Sequence, residues 1–136
     1  MSKELPEPIK SVTCRYRGTA FLVEIKRVET IGVLVERHLL AQYKWFIYVY
    51  LFEKHPFFEA FNKLNTLSEC YDESLPQLGM HGGITLFSRN TDNGSPSIKL
   101  GCDYCHYDDD AFNIEHSSSV LADARDIYIY YNLDCK

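Results

Sequence analysis

One strand dominates the pattern of apolar and polar positions, because both alternating sets of residues between Trp45 and Phe52 are apolar. The two sets are Trp45, Ile47, Val49 and Leu51, and Phe46, Tyr48, Tyr50 and Phe52. A strand that is apolar on both faces is typical of the centre of a sheet. We therefore expect it to be covered on both sides, or by a helix on one. It should end at His55-Pro56, because proline cannot donate a hydrogen bond to a neighbouring strand.

Two weaker patterns precede this strand. Cys14 to Lys26 predicts a strand bent at Gly18, because apolar and polar residues alternate in its second half. Ile31 to Val35 repeats the alternation, and a connection near Glu29-Thr30 would pair the two segments as antiparallel neighbours. Residues 1–10 are charged and contain two prolines, which predicts an extended lead-in.

A hairpin is predicted further along the chain. Ile84 to Ser88 and Ser97 to Asp103 look like two short strands, and the segment between them is dense in turn-forming residues. Within it, Asn93-Gly94 is the strongest hairpin signal in the sequence. Ile84 and Asp103 lie at similar distances from this turn, so we expect them to pair.

Two helices complete the predicted elements. Phe57 to Leu67 carries apolar residues at helical spacing and predicts a short helix or turn. Val120 to Leu133 follows serines that can cap a helix, although its Tyr-Ile-Tyr-Tyr segment favours a strand. The pattern therefore predicts an α+β fold: one domain over residues 1–136, with a small, mainly antiparallel sheet and a C-terminal helix packed on it.

Composition narrows the possible partners. The chain has 136 residues, 46% of them hydrophobic, which suits one domain with a core. The net charge is −5 and no run of Lys and Arg occurs, so we expect no non-specific nucleic-acid binding, although small anionic ligands fit.

The N-terminus lacks an apolar signal core, and the longest apolar run is too short to span a membrane. We expect a cytoplasmic protein with five reduced thiols.

Most of the residues that could carry chemistry lie between His81 and Asp110. Cys102-x-x-Cys105-His106 matches the attachment pattern of c-type haem. Attachment requires export, so we expect no haem. The same three residues with His81 form a possible Cys2His2 zinc set. The simpler alternative is that both cysteines are small core residues.

Two further groups in this stretch allow both a functional and a structural interpretation. The glycines of His81-Gly82-Gly83 either let backbone N–H groups approach an anion or only permit a turn. Asp103, His106 and the aspartates 108–110 place carboxylates beside an imidazole. A carboxylate can orient such a ring for general base catalysis or metal binding. The alternative is a solvated acidic loop.

The order of three motifs along the chain resembles the order found in a known group of proteins. The motifs are His55-Pro56-Phe57, then His-Gly-Gly-Ile-Thr from His81, then Gly-x-Asp-x-x-His-x-x-Asp from Gly101 to Asp109. Together they resemble a family of small uncharacterised proteins common in bacteriophage genomes, over residues 45 to 133. Lys54 departs from the family's glycine, and residues 98 and 99 replace its tryptophans. The resemblance implies a phage or other mobile-element source, a C-terminal helix and a shared site. That site comprises His55, His81, Asp103, His106 and Asp109.

Two functions are compatible with these residues. The first is a hydrolase that acts on a phosphate-containing or nucleotide-like ligand, a function that would serve phage counter-defence. His81, Asp103 and His106 would be its catalytic residues or the ligands of a divalent metal. His55, Gly82, Gly83, Arg89 and Asp109 would bind the ligand. The second is a non-catalytic inhibitor that sequesters a host protein or a small signalling molecule. A purely structural His/Asp network is the remaining alternative.

Overall fold

The computed structural model describes residues 10–29, 34–35, 38–39, 43–72, 75, 80–91, 96–104 and 116–133. The elements in chain order are β1 (Lys10–Gly18), β2 (Phe21–Glu29), β3 (Leu34–Val35), β4 (His38–Leu39), β5 (Tyr43–Phe52), α1 (Phe58–Asn62), a 3-10 helix (Leu67–Tyr71), β6 (Leu86–Asn90), β7 (Ser97–Asp103) and α2 (Ser118–Leu133). Together they form a small α+β domain.

Five of these strands form one antiparallel sheet in the order β1-β2-β5-β7-β6. β5 lies at its centre, as the two-faced apolar pattern predicted, and pairs along its length with β2 and β7. One face of the sheet, which we call the inner face, carries the core. Its buried side chains are Phe21, Val23, Ile25, Trp45, Ile47, Val49, Leu51, Ile98, Leu100 and Cys102.

The C-terminal helix packs on the inner face, which confirms the predicted helix. Its buried residues Val120, Ala124, Ile127 and Tyr131 recur at helical spacing. The hydroxyl of Ser117 accepts a hydrogen bond from the N–H of Val120 at 3.4 Å, so a serine caps the first turn. The Tyr-rich end stays helical because Tyr128 and Tyr131 pack on the Phe21 ring. Tertiary contact thus overrides the strand propensity.

The predicted strand from Cys14 to Lys26 is wrong, because the chain reverses after Gly18. β1 and β2 form a hairpin, and Ala20 in the turn adopts a φ of 61°. Gly18 is required there, since a Cβ would lie 1.9 Å from a ring carbon of Phe21. The predicted pairing with residues 31–35 is also wrong: β1 and β5 occupy both edges of β2, and β3 pairs with β4.

The second hairpin has the predicted register. Leu86 pairs with Gly101 and Asn90 with Ser97, and the same register continued outward sets Ile84 opposite Asp103. The turn at Asn93-Gly94 lies outside the described residues. The short predicted helix appears as α1, whose Phe58 and Phe61 join the core. Within the described parts of the chain, no helix is long and apolar enough to cross a membrane.

Candidate functional site

The predicted site residues that the structure describes fall at two opposite ends of the sheet. In the pairing of β5 with β7, Phe46 lies opposite Asp103 and Phe52 lies opposite Ser97. These pairs are six residues apart, which corresponds to about 20 Å along the strands. Asp103 is therefore at one end, whereas His55 follows the other end of β5. The expectation that His55 borders a pocket with Asp103 is wrong.

His55 instead holds the end of α2 against the sheet. Its ring is buried, with 3% of the residue exposed, and contacts the rings of Phe21, Phe57 and Tyr131. Its Nδ1 accepts a hydrogen bond from the N–H of Phe57 at 3.0 Å, so the neutral ring carries its proton on Nε2. Nε2 lies 3.3 Å from the carbonyl oxygen of Tyr131 and donates to it. His55 thus satisfies a carbonyl in the last turn of the helix.

Arg89 has a similar structural role, on α1. Its Nε donates to the Asn62 side-chain oxygen at 3.0 Å, and Nη2 donates to the backbone carbonyls of Asn62 and Leu64. These contacts cap the C-terminal end of α1 and fix it to β6. Arg89 pairs with Ile98, near the end of the sheet opposite Asp103. Arg89 thus lies far from Asp103, and its part in binding a ligand stays a prediction.

His81 lies at the Asp103 end of the sheet. Its ring stacks on Tyr104, with centroids 4.4 Å apart and 13° between the planes. The Tyr104 hydroxyl donates to Asp123 of α2 at 2.7 Å. Gly82 and Gly83 have φ angles of 67° and 89°, and the Gly83 N–H donates to the Met80 carbonyl at 3.0 Å. This arrangement favours the turn interpretation of the glycines, because the Gly83 N–H closes the turn.

Asp103 belongs to the other face at this end. It pairs with Phe46, and its carboxylate accepts a hydrogen bond from the Thr85 hydroxyl at 3.3 Å. His81, by contrast, packs with Tyr104, which is fully buried beside the helix. The two predicted site residues are thus close along the sheet but associated with its two different faces. His106 and Asp109 lie outside the described residues, so their place beside His81 stays a prediction.

Cys102 is a core residue. Burial raises the pKa of its thiol to about 12, although backbone hydrogen bonds from His81 and Ile47 act in the opposite direction. This burial agrees with the interpretation of Cys102 as a small core residue. Among the described residues, no group of three His, Cys, Asp or Glu side chains could hold a metal ion. Cys105 lies outside them, and a divalent metal stays a prediction.

The sheet face opposite the core, which we call the outer face, forms a second candidate site. Both α-helices contribute buried residues to the core of the inner face. Strand pairing and alternation assign the outer-face side chains. They include Thr13, Arg15, Arg17, Leu22, Glu24, Lys26, Lys44, Phe46, Tyr48, Tyr50, Phe52, Leu86, Ser88, Asn90, Ser97, Lys99, Gly101 and Asp103.

Four half-buried aromatic rings run along the centre of the outer face. We call them the aromatic row: Phe46, Tyr48, Tyr50 and Phe52. The first two rings are parallel within 3°, with centroids 6.2 Å apart. Tyr48 leans over Gly101, where a Cβ would lie 2.7 Å from a ring carbon. The ammonium of Lys99 lies 4.3 Å from the Tyr48 centroid and 5.4 Å from the Tyr50 centroid.

The outer face is positively charged, unlike the chain as a whole. Its described side chains include five cations and two carboxylates, a net charge of +3. The chain has a net charge of −5, which leaves −8 for the remainder. Glu24 bonds to Arg15 at 3.0 Å and accepts from the Tyr50 hydroxyl at 3.2 Å. Burial and the charge of Glu24 raise the pKa of Tyr50 to about 12, so this hydroxyl keeps its proton.

The sequence pattern identified the aromatic row only as a second apolar face. Its cations come from β1, β2, β5 and β7 and occupy alternate positions, so no basic run marks them in the sequence. The alternation of Lys26, Lys44 and Lys99 with buried residues was the available signal. Strand order was also needed, because it decides which alternating positions share a face.

Comparison of the chain with models of protein families, with curated proteins and with solved structures gave no match. The resemblance to bacteriophage proteins therefore stays a prediction. The case for a function rests on the geometry and charge of the two candidate sites.

Proposed function

We propose that the protein binds a nucleotide-like ligand on its outer face and releases it unchanged. The observation that carries this proposal is the aromatic row within a surface of net charge +3 on a chain of net charge −5. Flat rings stack on heterocyclic bases, and the surrounding cations attract phosphate groups. This corresponds to the inhibitor that sequesters a small signalling molecule, and a phage origin and a counter-defence role belong to the same proposal.

Lys99 supports this assignment most directly. Its ammonium lies over the Tyr48 ring and beside Tyr50, so one cation is held at the surface on which a base would stack. The phosphate of that nucleotide, carried on its sugar, would therefore meet a positive charge close to the ring. Two copies of the protein joined by this face would instead bring two surfaces of charge +3 together, which disfavours a self-associated dimer.

Binding is favoured over hydrolysis because several residues of the predicted catalytic set have other roles. His55 and Arg89 fix helices, at the end of the sheet away from Asp103. The Gly83 N–H closes its own turn. Hydrolysis requires acid, base and ligand-binding groups that converge on one point, whereas stacking and charge attraction require only the surface already described.

The test uses AMP and ATP as probes. We expect millimolar nucleotide to cause saturable NMR shifts in outer-face amides near Tyr48 and Lys99. Chromatography should recover both nucleotides unchanged after prolonged incubation. Tyr48→Leu should abolish the shifts and Tyr48→Phe should keep them, because stacking needs the ring and not the hydroxyl. Shifts centred on His81, no saturable shift, or conversion of the nucleotide would contradict the proposal.

Hydrolysis at the other candidate site is the second possibility. One observation favours it: the His81–Tyr104 stack and the Thr85–Asp103 hydrogen bond lie at the sheet end from which the chain continues towards His106. Elemental analysis of the purified protein tests for a divalent metal. His106→Ala should then remove metal and activity together without unfolding the protein. Retention of both would exclude this site.

A further inference from the structure

The length of the aromatic row indicates how large its ligand is. Side chains on one face of a strand recur every two residues, about 6.8 Å apart, so the four rings from Phe46 to Phe52 extend over about 20 Å. Bases in a stacked duplex are only about 3.4 Å apart along each strand. A strand whose bases are splayed out is more extended and can place successive bases on separate rings. One mononucleotide would leave most of the row unused.

We infer that the outer face binds a single strand of nucleic acid, RNA or DNA, over about three to four nucleotides. This inference rests on the proposed function and specifies its ligand. Sequence-tolerant single-strand binding combines aromatic platforms with a positively charged surface that follows the backbone. The outer face provides both, on strands that the buried core holds in place.

The cations lie on both sides of the aromatic row, where a backbone would run. Lys26 on β2 pairs with Phe46, and Lys99 on β7 pairs with Tyr50, so one lysine lies on each side of the row at about one strand spacing, roughly 5 Å. Two carboxylates, Glu24 and Asp103, also pair with the row, and Glu24 is bonded to Arg15. Arg15 and Arg17 lie one strand further out, on β1. Phosphates of a strand stacked along β5 would therefore meet positive charge on either side.

A duplex fits the outer face less well than a single strand. The bases of a duplex are stacked on each other, so the rings of the row would gain no stacking contact. Duplex binding would then depend on phosphate contacts alone, and those contacts rest on clustered positive charge. A face of net charge +3 on a chain of net charge −5 offers few of them.

The composition alone predicts the opposite, namely no non-specific nucleic-acid binding. That expectation depends on the absence of a basic run in the sequence. Folding places cations from four strands on one surface, where only two of the described carboxylates, Glu24 and Asp103, accompany them. The local charge at the aromatic row, and not the net charge of the chain, determines the attraction of a strand lying on it.

The test measures fluorescence anisotropy of labelled oligothymidylates of two, four and eight nucleotides, with oligouridylates of the same lengths and a duplex of fifteen base pairs. We expect the affinity to rise about a hundredfold from two to four nucleotides, since each of the two additional stacked bases contributes about tenfold, and to level off by eight. The duplex should bind at least about tenfold more weakly than the eight-nucleotide strand. With about three phosphates contacted, log affinity should fall with log salt with a slope of about −2.

Matched variants separate the contributions of ring and charge. Tyr48→Leu should weaken binding of the eight-nucleotide strand about tenfold, and Tyr48→Phe should restore it, whereas Tyr71→Leu, at an exposed tyrosine on the 3-10 helix, should change nothing. Lys99→Gln should reduce the salt slope by about 0.7, and Lys54→Gln, an exposed lysine after β5, should not. Thermal unfolding of each variant checks that the fold is intact.

The possible failures are distinguishable. If AMP competes at the outer face but affinity does not depend on oligonucleotide length, the single-strand inference fails and the proposed function stands. If the duplex binds as tightly as the single strand, or Tyr48→Phe is as weak as Tyr48→Leu, the inference fails as well. If neither AMP nor any oligonucleotide binds, both the inference and the proposed function fail. Tighter binding of either the uridylate or the thymidylate supports the inference and shows which of the RNA and DNA probes the outer face prefers.

Discussion

The two faces of β5 use the same backbone for different purposes. The inner set, Trp45, Ile47, Val49 and Leu51, is mainly aliphatic, and its last three members have no exposed surface. The outer set, the aromatic row, is half-buried and has cations beside it. Aliphatic side chains fill a core closely, whereas Tyr combines a flat ring with a polar hydroxyl and suits a contact surface. One alternating pattern thus encodes a core and a candidate binding surface.

The largest expected effect distinguishes the two faces by stability. Ile47→Ala should lower the free energy of unfolding by about 2–5 kcal/mol, because it opens a cavity in the core. Tyr48→Ala, one residue away on the outer face, should cost about 1 kcal/mol, since its side chain is only partly buried and leaves no closed cavity. Urea denaturation measures both. Equal losses would mean that the outer face is a second core covered in solution.

The next largest effect is the difference in stability loss between His55 and His81, the two histidines that were expected to share a pocket. His55→Ala should cost about 2–3 kcal/mol, because it removes two hydrogen bonds and a buried ring between the sheet and α2. His81→Ala removes mainly a stack on Tyr104 and should cost about 1 kcal/mol. Both values come from urea denaturation. A loss at His81 that exceeds the loss at His55 would contradict the structural role assigned to His55.

The position of His55 also shows where sequence reasoning stops. The central β5, the β6–β7 register and the C-terminal helix follow from local patterns, because each depends on alternation, a turn or a cap within a short segment. The order of the strands in the sheet, by contrast, is not determined by any short segment of the sequence. Once β5 and β7 are antiparallel neighbours, the residues that follow their C-terminal ends lie at opposite ends of the sheet. His55 and His106 both follow such ends. Their motifs suggested that His55 lies close to Asp103, but the strand order places these two residues at opposite ends of the sheet.

The β1–β2 hairpin was missed for a related reason. Inner-face positions are even-numbered in β1, as at Tyr16, and odd-numbered in β2, as at Val23. The change from even-numbered to odd-numbered inner-face positions at Gly18 was the only local sign of the turn. No Asn-Gly pair marked the turn. The same limit applies to the outer face, because its cations become a cluster only when the strand order is known.

A smaller effect is the difference in stability loss between two exposed arginines. Arg89 holds the end of α1, whereas Arg15 lies on the outer face. Arg89→Ala should cost about 1–2 kcal/mol, because it leaves carbonyls at the end of α1 without a donor. Arg89→Lys should recover little, since a single ammonium does not reproduce the planar fork. Arg15→Ala breaks an exposed ion pair with Glu24 and should cost less than about 1 kcal/mol. Thermal unfolding monitored by circular dichroism ranks the three variants.

The smallest effect is a pH dependence that arises at the inner face. Burial raises the pKa of the Cys102 thiol to about 12 in the folded protein, whereas a thiol in an unfolded chain titrates at about 8.5. Above the unfolded value the unfolded state loses this proton and the folded state keeps it. The stability contributed by the neutral thiol is therefore complete below pH 8.5 and is lost as the pH rises towards 12.

Urea denaturation at pH 7.5 and pH 9.5 measures this loss, with Cys102→Ala and Val49→Ala as a matched pair of core truncations. Wild-type protein should lose about 1 kcal/mol over this interval through Cys102. Cys102→Ala should be less stable at pH 7.5 but lose about 1 kcal/mol less on going to pH 9.5. Val49→Ala should keep the wild-type pH dependence, because it removes no titrating group. An unchanged pH dependence in Cys102→Ala would show that the thiol ionises within the fold.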